Sequence, residues 1–224
     1  MKIEYIFHSG FTVETDNHFL VFDYYKGKID IKKNKKIIVF SSHSHGDHFN
    51  PEILKWQKGN IDIQYVLSGD IKVKPESNIH IMEPYESLML YDVNIHSFSS
   101  TDLGLSFLVK VDGKSIFFAG DFNWWLWPSD TEEEKQTMER EFKEEIEKIR
   151  GNNIDVAFFP VDPRLRENYS LGGKYFIEKL KPKYFIPIHF WNKFSTTRNF
   201  AKDMNNATTK VLEIHRENQI IEVE

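Results

Sequence analysis

The stretch IIVFSSHSHGDH, residues 37–48, joins a continuous apolar run to a cluster of imidazole and carboxylate groups. Its apolar part, Ile37 to Phe40, is typical of a strand buried on both faces. In the extended backbone that follows, alternate residues point to the same side, so His43 and His45 can approach one metal ion. The segment therefore predicts a metal site at the end of a buried strand.

A glycine and two further candidate ligands complete this cluster. Gly46 permits a sharp turn that brings Asp47 and His48 round to a second metal ion beside the first, which a continuous strand would not do. The chain contains no cysteine, so any metal must be held by imidazole and carboxylate groups. A lone histidine is usually structural, but this density of ligands favours a metal site over a surface cluster without function.

The rest of the chain alternates strand patterns with a few helical ones. Turn signals such as Asp112-Gly113 separate the strands of a sheet-rich middle third. The longest predicted helix spans residues 131–150, where apolar residues recur at helical spacing and Gly151 follows. Shorter helices are predicted at residues 51–57, 173–180 and 196–205. Two strand-rich halves, each followed by helices, indicate two packed sheets covered by helices.

Composition places the chain among folded globular proteins. Of its 224 residues, 40% are hydrophobic and 15% aromatic, which is too apolar for a disordered chain. The net charge is −5 with both signs interspersed, which gives no advantage in binding nucleic acid. No run approaches the ~18 apolar residues that span a bilayer, and the amino terminus lacks a signal-peptide pattern. We expect one cytoplasmic domain over residues 1–224 that acts on a small molecule, with neither nucleic acid nor membrane as partner.

Four landmarks, in order along the chain, resemble the metallo-β-lactamase superfamily. Residues 43–48 match its HxHxDH signature, residues 7–11 with Phe22-Asp23 resemble its first hairpins, residues 118–121 its Gly-Asp turn, and residues 186–189 its last histidine. The chain is most similar to the small bacterial members related to L-ascorbate-6-phosphate lactonase. The resemblance implies an α/β (α+β) fold, a four-layer αββα sandwich of two mixed β-sheets flanked by helices, with metal ligands on loops along one edge.

The resemblance also implies two metal sites. The ligands would be His43 and His45 in the first site, Asp47, His48 and His189 in the second, and Asp121 bridging both. The residues themselves agree, because Asp121 and His189 each follow an apolar strand, where loops at a rim carry function. Zn²⁺ is expected from the resemblance, and Mn²⁺, Ni²⁺ and Fe²⁺ are compatible with the same ligand types.

One histidine that the family usually carries in the first site is missing here. The corresponding region, residues 99–104, reads SSTDLG. His96 lies inside a predicted strand, too early in the chain to reach the metals. Two interpretations remain open: Asp102 serves as an oxygen ligand instead, or the first site is weak and holds metal only when substrate helps. One tight metal and a second, looser one are expected.

The residues and the resemblance together predict a metal-dependent hydrolase. A bound metal lowers the pKa of water towards ~7 and polarises the substrate oxygen, so metal-bound hydroxide attacks without a protein nucleophile. As a hypothesis, Asp47 binds metal and also orients the hydroxide or moves its proton. The expected substrate is a small polar ester, lactone or phosphoester. The alternatives are a nuclease or phosphodiesterase of the same fold, a catalytically weakened metal-binding protein, and a redox enzyme.

Several residues near the predicted ligands are candidates for contact with substrate. They are His8, Trp124, Trp125, Asp162 and Trp191. The tryptophans closely follow metal ligands, so they either wall a pocket or pack between helix and sheet. His8 is either a hydrogen-bond donor beside the ligands or a structural residue. For Asp162 the alternatives are a substrate contact and a local salt bridge with Arg164.

Overall fold

The computed structural model describes residues 1–57, 61–205 and 208–224, and most of them form strands and helices. The strands are β1 (Lys2–Phe7), β2 (Gly10–Glu14), β3 (His18–Phe22), β4 (Lys36–Ser41), β5 (Ile63–Ser68), β6 (Ile79–Met82), β7 (Ser87–Leu90), β8 (Val93–Ser99), β9 (Leu105–Val111), β10 (Lys114–Phe118), β11 (Val156–Pro160), β12 (Tyr184–Ile188), β13 (Lys210–Val211) and β14 (Ile220–Glu222). The α-helices are α1 (Glu132–Ile149), α2 (Leu171–Leu180) and α3 (Ser195–Asp203).

The strands form two seven-stranded sheets of similar construction. The first has the order β14-β1-β2-β3-β4-β5-β6, and the second has the order β13-β12-β11-β10-β9-β8-β7. The first sheet is antiparallel from β14 to β3 and parallel from β3 to β6. The second is antiparallel from β7 to β10 and parallel from β10 to β13. The predicted fold class, with two mixed sheets, is confirmed.

The inner faces of the two sheets meet in an aromatic core. The ring of Phe22 on β3 stacks on Phe40 of β4 at a centroid distance of 4.7 Å and on Phe118 of β10, in the other sheet, at 4.8 Å. Aromatic pairs of this kind add about 0.5–1.5 kcal/mol to the stabilisation from the area they bury. Because Asp23 and Asp121 follow these strands closely, the core fixes the loops at this edge relative to each other.

The three α-helices pack on the outer face of the second sheet. The helix predicted for residues 131–150 is present as α1, with Thr131 as N-cap in a capping box with Glu134. Its apolar stripe, including Phe142 and Ile146, is buried against the sheet. None of the helices in the described part of the chain is long and apolar enough to cross a bilayer.

A thinner layer covers the outer face of the first sheet. The segment predicted as a helix at residues 51–57 forms a short 3₁₀ helix, Pro51–Lys55, capped by Asn50. Only Ile53 is buried within it, so it has no apolar stripe to stabilise further helical turns. The other two predicted helices differ from α2 and α3 by two residues or fewer at either end.

Candidate metal centre

Imidazole and carboxylate groups converge where the parallel strands end. β4 leads into the segment 43–48, β10 leads to Asp121, and β12 leads to His189. His43 Nε2 lies 3.5 Å from Asp121 Oδ2. His48 Nε2 and His189 Nε2 each lie 3.2 Å from Asp121 Oδ1. Residues that are far apart in sequence therefore surround the carboxylate of Asp121.

Several of the atoms that face each other here have no hydrogen-bond partner within the described residues. They include His43 Nε2, His48 Nε2 and Asp121 Oδ1, all in buried side chains. An unpaired buried polar atom costs about 1–3 kcal/mol. Imidazole nitrogens and carboxylate oxygens that converge without protein partners are the donor set of a divalent transition-metal ion. The residues present therefore fit a metal.

The donor atoms fall into two main sets, each with all members within 4.8 Å of one another. The first set consists of His43, His45 and Asp121. The second set consists of Asp47, His48, His189 and His8. Asp121 contacts members of both sets, as expected for a bridging carboxylate. The structure thus brings together the residues predicted for each metal site and adds His8 to the second set.

Burial and neighbouring charges control the protonation of this cluster. Burial by itself raises the pKa of Asp121, but the imidazoles of His189 and His48 outweigh that effect and hold it well below its ordinary value. Burial lowers the pKa of His189, yet the carboxylates of Asp121 and Asp162 outweigh it and raise the pKa to about 10. The raised pKa values of His189 and His48 favour protons on these two imidazoles, which balance the buried carboxylate. A metal ion must displace them, so its affinity rises with pH.

Asp23, at the end of β3, holds His48 in place. The Nδ1 atom of His48 donates to Asp23 Oδ2 at 2.6 Å, which turns Nε2 towards the centre. Asp23 also accepts hydrogen bonds from the backbone N–H and the hydroxyl of Ser42, at 2.7 and 2.6 Å. The sequence interpretation missed this role. The available signal was that Asp23 follows a strand parallel to β4 and so lies at the same sheet edge as His43.

Asp162 supports His189 in the same way. It is fully buried, and its Oδ2 accepts a hydrogen bond from His189 Nδ1 at 2.8 Å. Arg164 Nε donates to the same oxygen at 2.8 Å. Burial raises the pKa of Asp162, but these donors outweigh it and lower the pKa. Of the two alternatives for Asp162, the structure has the salt bridge with Arg164, beneath His189, and Arg164 also lines the pocket.

Close backbone packing fixes His43 relative to Asp121. A Cβ atom on Gly104 would lie 2.0 Å from the carbonyl oxygen of Ser42, and one on Gly120 would lie 2.6 Å from Ser42 Cβ. Both glycines have positive φ, +76° and +54°, which side-chain-bearing residues rarely adopt. The end of β4 therefore touches two loops of the second sheet with no room for another methyl group.

The loop that lacks the expected histidine is held beside the centre. The hydroxyl of Thr101 donates to the carbonyl oxygen of Asn123 at 2.6 Å and accepts from its N–H at 3.0 Å. Between this clamp and Gly104, Asp102 lines the pocket. Burial and the charge of Asp121 raise the pKa of Asp102. His96 bonds to Ser87 Oγ at 2.8 Å on the neighbouring strand, as its position in a strand predicted.

A pocket of about 400 Å³ opens beside the candidate ligands. Trp125 and Trp127 form one wall, with parallel rings 5.7 Å apart. The indole N–H of Trp125 donates to the carbonyl oxygen of Asp121 at 2.8 Å, which fixes this wall to the centre. The guanidinium of Arg164 lies 5.4 Å from the ring centroid of Trp127. The volume is that of a small-molecule site.

The other predicted substrate contacts lie in different places. Trp124 packs in the core between helix and sheet, 5.6 Å from Phe142 in ring-centroid distance, and does not line the pocket. Trp191 contacts the ring of His8 at a centroid distance of 4.1 Å. His8 is fully buried, and its Nε2 lies 3.3 Å from Asp47 Oδ2. Of the predicted tryptophans, Trp125 reaches the pocket.

Comparisons with known proteins agree with this architecture. A family model described as the beta-lactamase superfamily domain matches residues 2–189. The metal-dependent hydrolase YtkL of Bacillus subtilis is 24% identical over 247 aligned positions, which cover 96% of this chain and 97% of YtkL. A metallo hydrolase from Ignicoccus hospitalis, Igni18, superposes with a TM-score of 0.69 at 18% identity over 100% of this chain and 99% of its own.

A second solved structure shows that the fold is not confined to hydrolases. CmlA, a diiron β-hydroxylase from Streptomyces venezuelae, has a TM-score of 0.64 at 11% identity and matches 99% of this chain and 54% of its own. At such identities the structural likeness shows a shared fold, and chemistry must be argued from the residues of the site.

Proposed function

This chain belongs to the beta-lactamase superfamily, and we propose that it is a metal-dependent hydrolase of small polar esters, lactones or phosphoesters. One observation supports this more than any other: buried imidazole nitrogens and a carboxylate oxygen converge on one point without protein partners. The relatives named as metal-dependent hydrolases align over nearly the whole chain, which agrees with the proposal.

The proposed ligand assignment follows the two sets of donor atoms. His43 and His45 would hold the first ion, Asp47, His48 and His189 the second, and Asp121 both. We propose Asp102 as the oxygen ligand that stands in for the absent histidine, because its loop is clamped beside the centre by Thr101. The second ion would be the tighter one, since its ligands are braced from behind by buried carboxylates. Zn²⁺ is the ion proposed first.

The protein groups around the pocket have separate tasks in the proposed reaction. A divalent ion held by these residues would supply Lewis acidity, which lowers the pKa of a water molecule and polarises the oxygen of the group to be cleaved. Asp47, a partly exposed carboxylate at the pocket, is placed to orient the attacking water. Trp125 and Trp127 exclude bulk water from one side. Replacement of Asp47 by Asn is therefore expected to slow turnover.

The pocket composition favours a small substrate over a nucleic acid. Arg164 is the one lysine or arginine among the described residues that line the pocket. The acidic lining residues are Asp47, Asp102, Asp121, Asp130 and Glu134. A polyanion gains affinity by contact with many cationic side chains, and this lining offers one. We therefore propose a compact substrate.

A substrate panel tests the proposal. The metal-free protein is loaded with Zn²⁺, Mn²⁺ or Ni²⁺, its metal content is measured by elemental analysis, and chromogenic esters, lactones and phosphodiesters are assayed. At least one class should turn over, and His48→Ala should reduce that turnover to the metal-free background. His215→Ala, which removes an exposed histidine, serves as the control and should keep full activity. Metal binding without turnover of any class would instead indicate a metal-binding protein.

A further inference from the structure

His8 is a buried histidine beside the candidate ligands, and its Nε2 atom lies 3.3 Å from Asp47 Oδ2. Its side chain is fully buried, and neither Nδ1 nor Nε2 has a hydrogen-bond partner among the residues that the structure describes. Buried polar groups in native proteins are nearly always paired, so an unpaired one requires an explanation.

The backbone at His8 is also in an unfavourable conformation. His8 has φ = +58° in the turn between β1 and β2, where the register of the two strands shifts. Its N–H donates to the hydroxyl of Tyr5 at 2.9 Å, and that contact holds the turn in this form. A left-handed conformation at a non-glycine residue is strained and is retained where the surroundings impose it. The turn thus directs the imidazole inwards, and the strained backbone makes the fold less stable.

The imidazole points at the second set of donor atoms. One ligand atom each from His8, Asp47, His48 and His189 lies within 4.8 Å of the others. Ligands around one ion with bonds of ~2.0–2.2 Å are ~3.4 Å apart in tetrahedral geometry and up to ~4.4 Å apart when opposite in octahedral geometry. His8 Nε2 is 3.3 Å from Asp47 Oδ2. This 3.3 Å separation suits two ligands of a single ion.

We propose that His8 is a ligand of the second metal ion, resting on the metal centre proposed above. The second ion would then have five protein ligands: His8, Asp47, His48, Asp121 and His189. Five ligands exceed a tetrahedral set and leave one position for water or substrate in an octahedral one. This site is therefore suited to an ion that accepts five or six ligands, such as Mn²⁺, Fe²⁺ or Co²⁺.

The ring of His8 is held in place by two aromatic neighbours. Its centroid lies 4.1 Å from that of Trp191 and 4.2 Å from that of His189. These contacts fix the ring plane without using either nitrogen, which leaves one nitrogen free to bind the ion.

Co²⁺ is a suitable probe because its visible spectrum reports the number of ligands. The variant His8→Asn removes the imidazole while keeping a residue that tolerates positive φ. His215→Asn is the matched control on an exposed histidine. Circular dichroism and thermal unfolding of the metal-free proteins establish that each variant folds. Co²⁺ is then titrated by equilibrium dialysis, and spectra are recorded with the first equivalent bound, which fills the tighter second site.

The wild-type protein and the control should show the weak visible bands of five- or six-coordinate Co²⁺. In His8→Asn, affinity at one of the Co²⁺ sites should fall by ~100-fold or more, and the bands should gain intensity as coordination drops. Unchanged affinity and spectrum in folded His8→Asn would overturn the assignment of His8 alone. Absence of Co²⁺, Mn²⁺ and Zn²⁺ binding by the wild type would overturn the proposed function as well.

Discussion

Two clusters of histidine and aspartate lie at opposite ends of strand β3 and differ in one respect. At the start of β3, buried His18 bonds through Nδ1 to Asp112 Oδ2 and through Nε2 to Asp92 Oδ1, both at 3.0 Å. Asp112 also accepts from Thr15 Oγ1 at 2.6 Å. Both ring nitrogens of this histidine therefore have protein partners, and the cluster joins the two sheets.

At the other end of β3, the same residue types leave their inner atoms unpaired. His43 Nε2, His48 Nε2 and Asp121 Oδ1 have no partner within the described residues. Both clusters hold closely spaced potential ligand atoms, so residue type and proximity do not distinguish them. Hydrogen bonding does, because the cluster around His18 has its ring nitrogens paired within the protein, whereas the other leaves atoms available to hold an ion.

The largest expected effect is a loss of folding stability when the cluster around His18 is changed. Replacement of His18 by Gln leaves Asp112 without its imidazole partner and should lower the free energy of unfolding by about 1–3 kcal/mol. The metal content should not change, because the cluster is at the far end of β3. Urea unfolding of the metal-free protein and elemental analysis measure the two quantities. Loss of metal with unchanged stability would reverse the roles assigned to the clusters.

The second-largest expected effect is a loss of metal affinity or turnover at the candidate metal centre. Replacement of Asp23 by Asn weakens the brace on His48 and should reduce metal affinity or turnover by ~10–100-fold. Titration of the metal-free variant with Zn²⁺ against a competing chelator measures the affinity. Asp112→Asn is the control, since it changes a carboxylate that also bonds a histidine, and it should leave the affinity as in the wild type. Equal losses in both variants would contradict the comparison.

The smallest expected effect is a decrease in the free energy of unfolding at low pH. Burial raises the pKa of Asp112, but hydrogen bonds from His18, Thr15 and Asn17 outweigh it and hold the pKa well below its ordinary value. The carboxylate therefore stabilises the fold fully above its unfolded pKa of ~3.9, and this contribution declines as pH falls further. The loss should be on the order of 1 kcal/mol. Thermal unfolding of metal-free protein between pH 6 and pH 3 measures it, and Asp112→Asn should show a shallower decline.

The sequence was most informative where chemistry is local. The spacing of His43, His45, Asp47 and His48 behind an apolar strand predicted a cluster, and the structure places these residues together. Asp121 and His189 were predicted to lie at strand ends, and β10 and β12 bring them to the same point. Strand ends follow from hydrophobic patterns, and parallel strands align their ends.

Contacts between distant segments were harder to predict. Nothing in the local pattern shows that Asp23 bonds His48 or that Arg164 reaches the pocket. Trp124 and Trp125 illustrate the limit, because adjacent residues go to the core and to the pocket respectively. After Asp121 the chain leaves its strand, so no periodicity assigns a side to each residue. The short length of the 3₁₀ helix Pro51–Lys55 was equally hard to predict, because it depends on how little of this segment is buried against the first sheet.

The tight packing around Ser42 shows which positions can be varied when a new activity is engineered and which cannot. Any library that varies positions 42, 104 or 120 would consist largely of misassembled proteins, because two sheets meet there at backbone distance. Diversity belongs instead at Trp127 and Met138, which line the pocket and leave that junction untouched. The scaffold thus separates the positions that must stay small from those that can be redesigned.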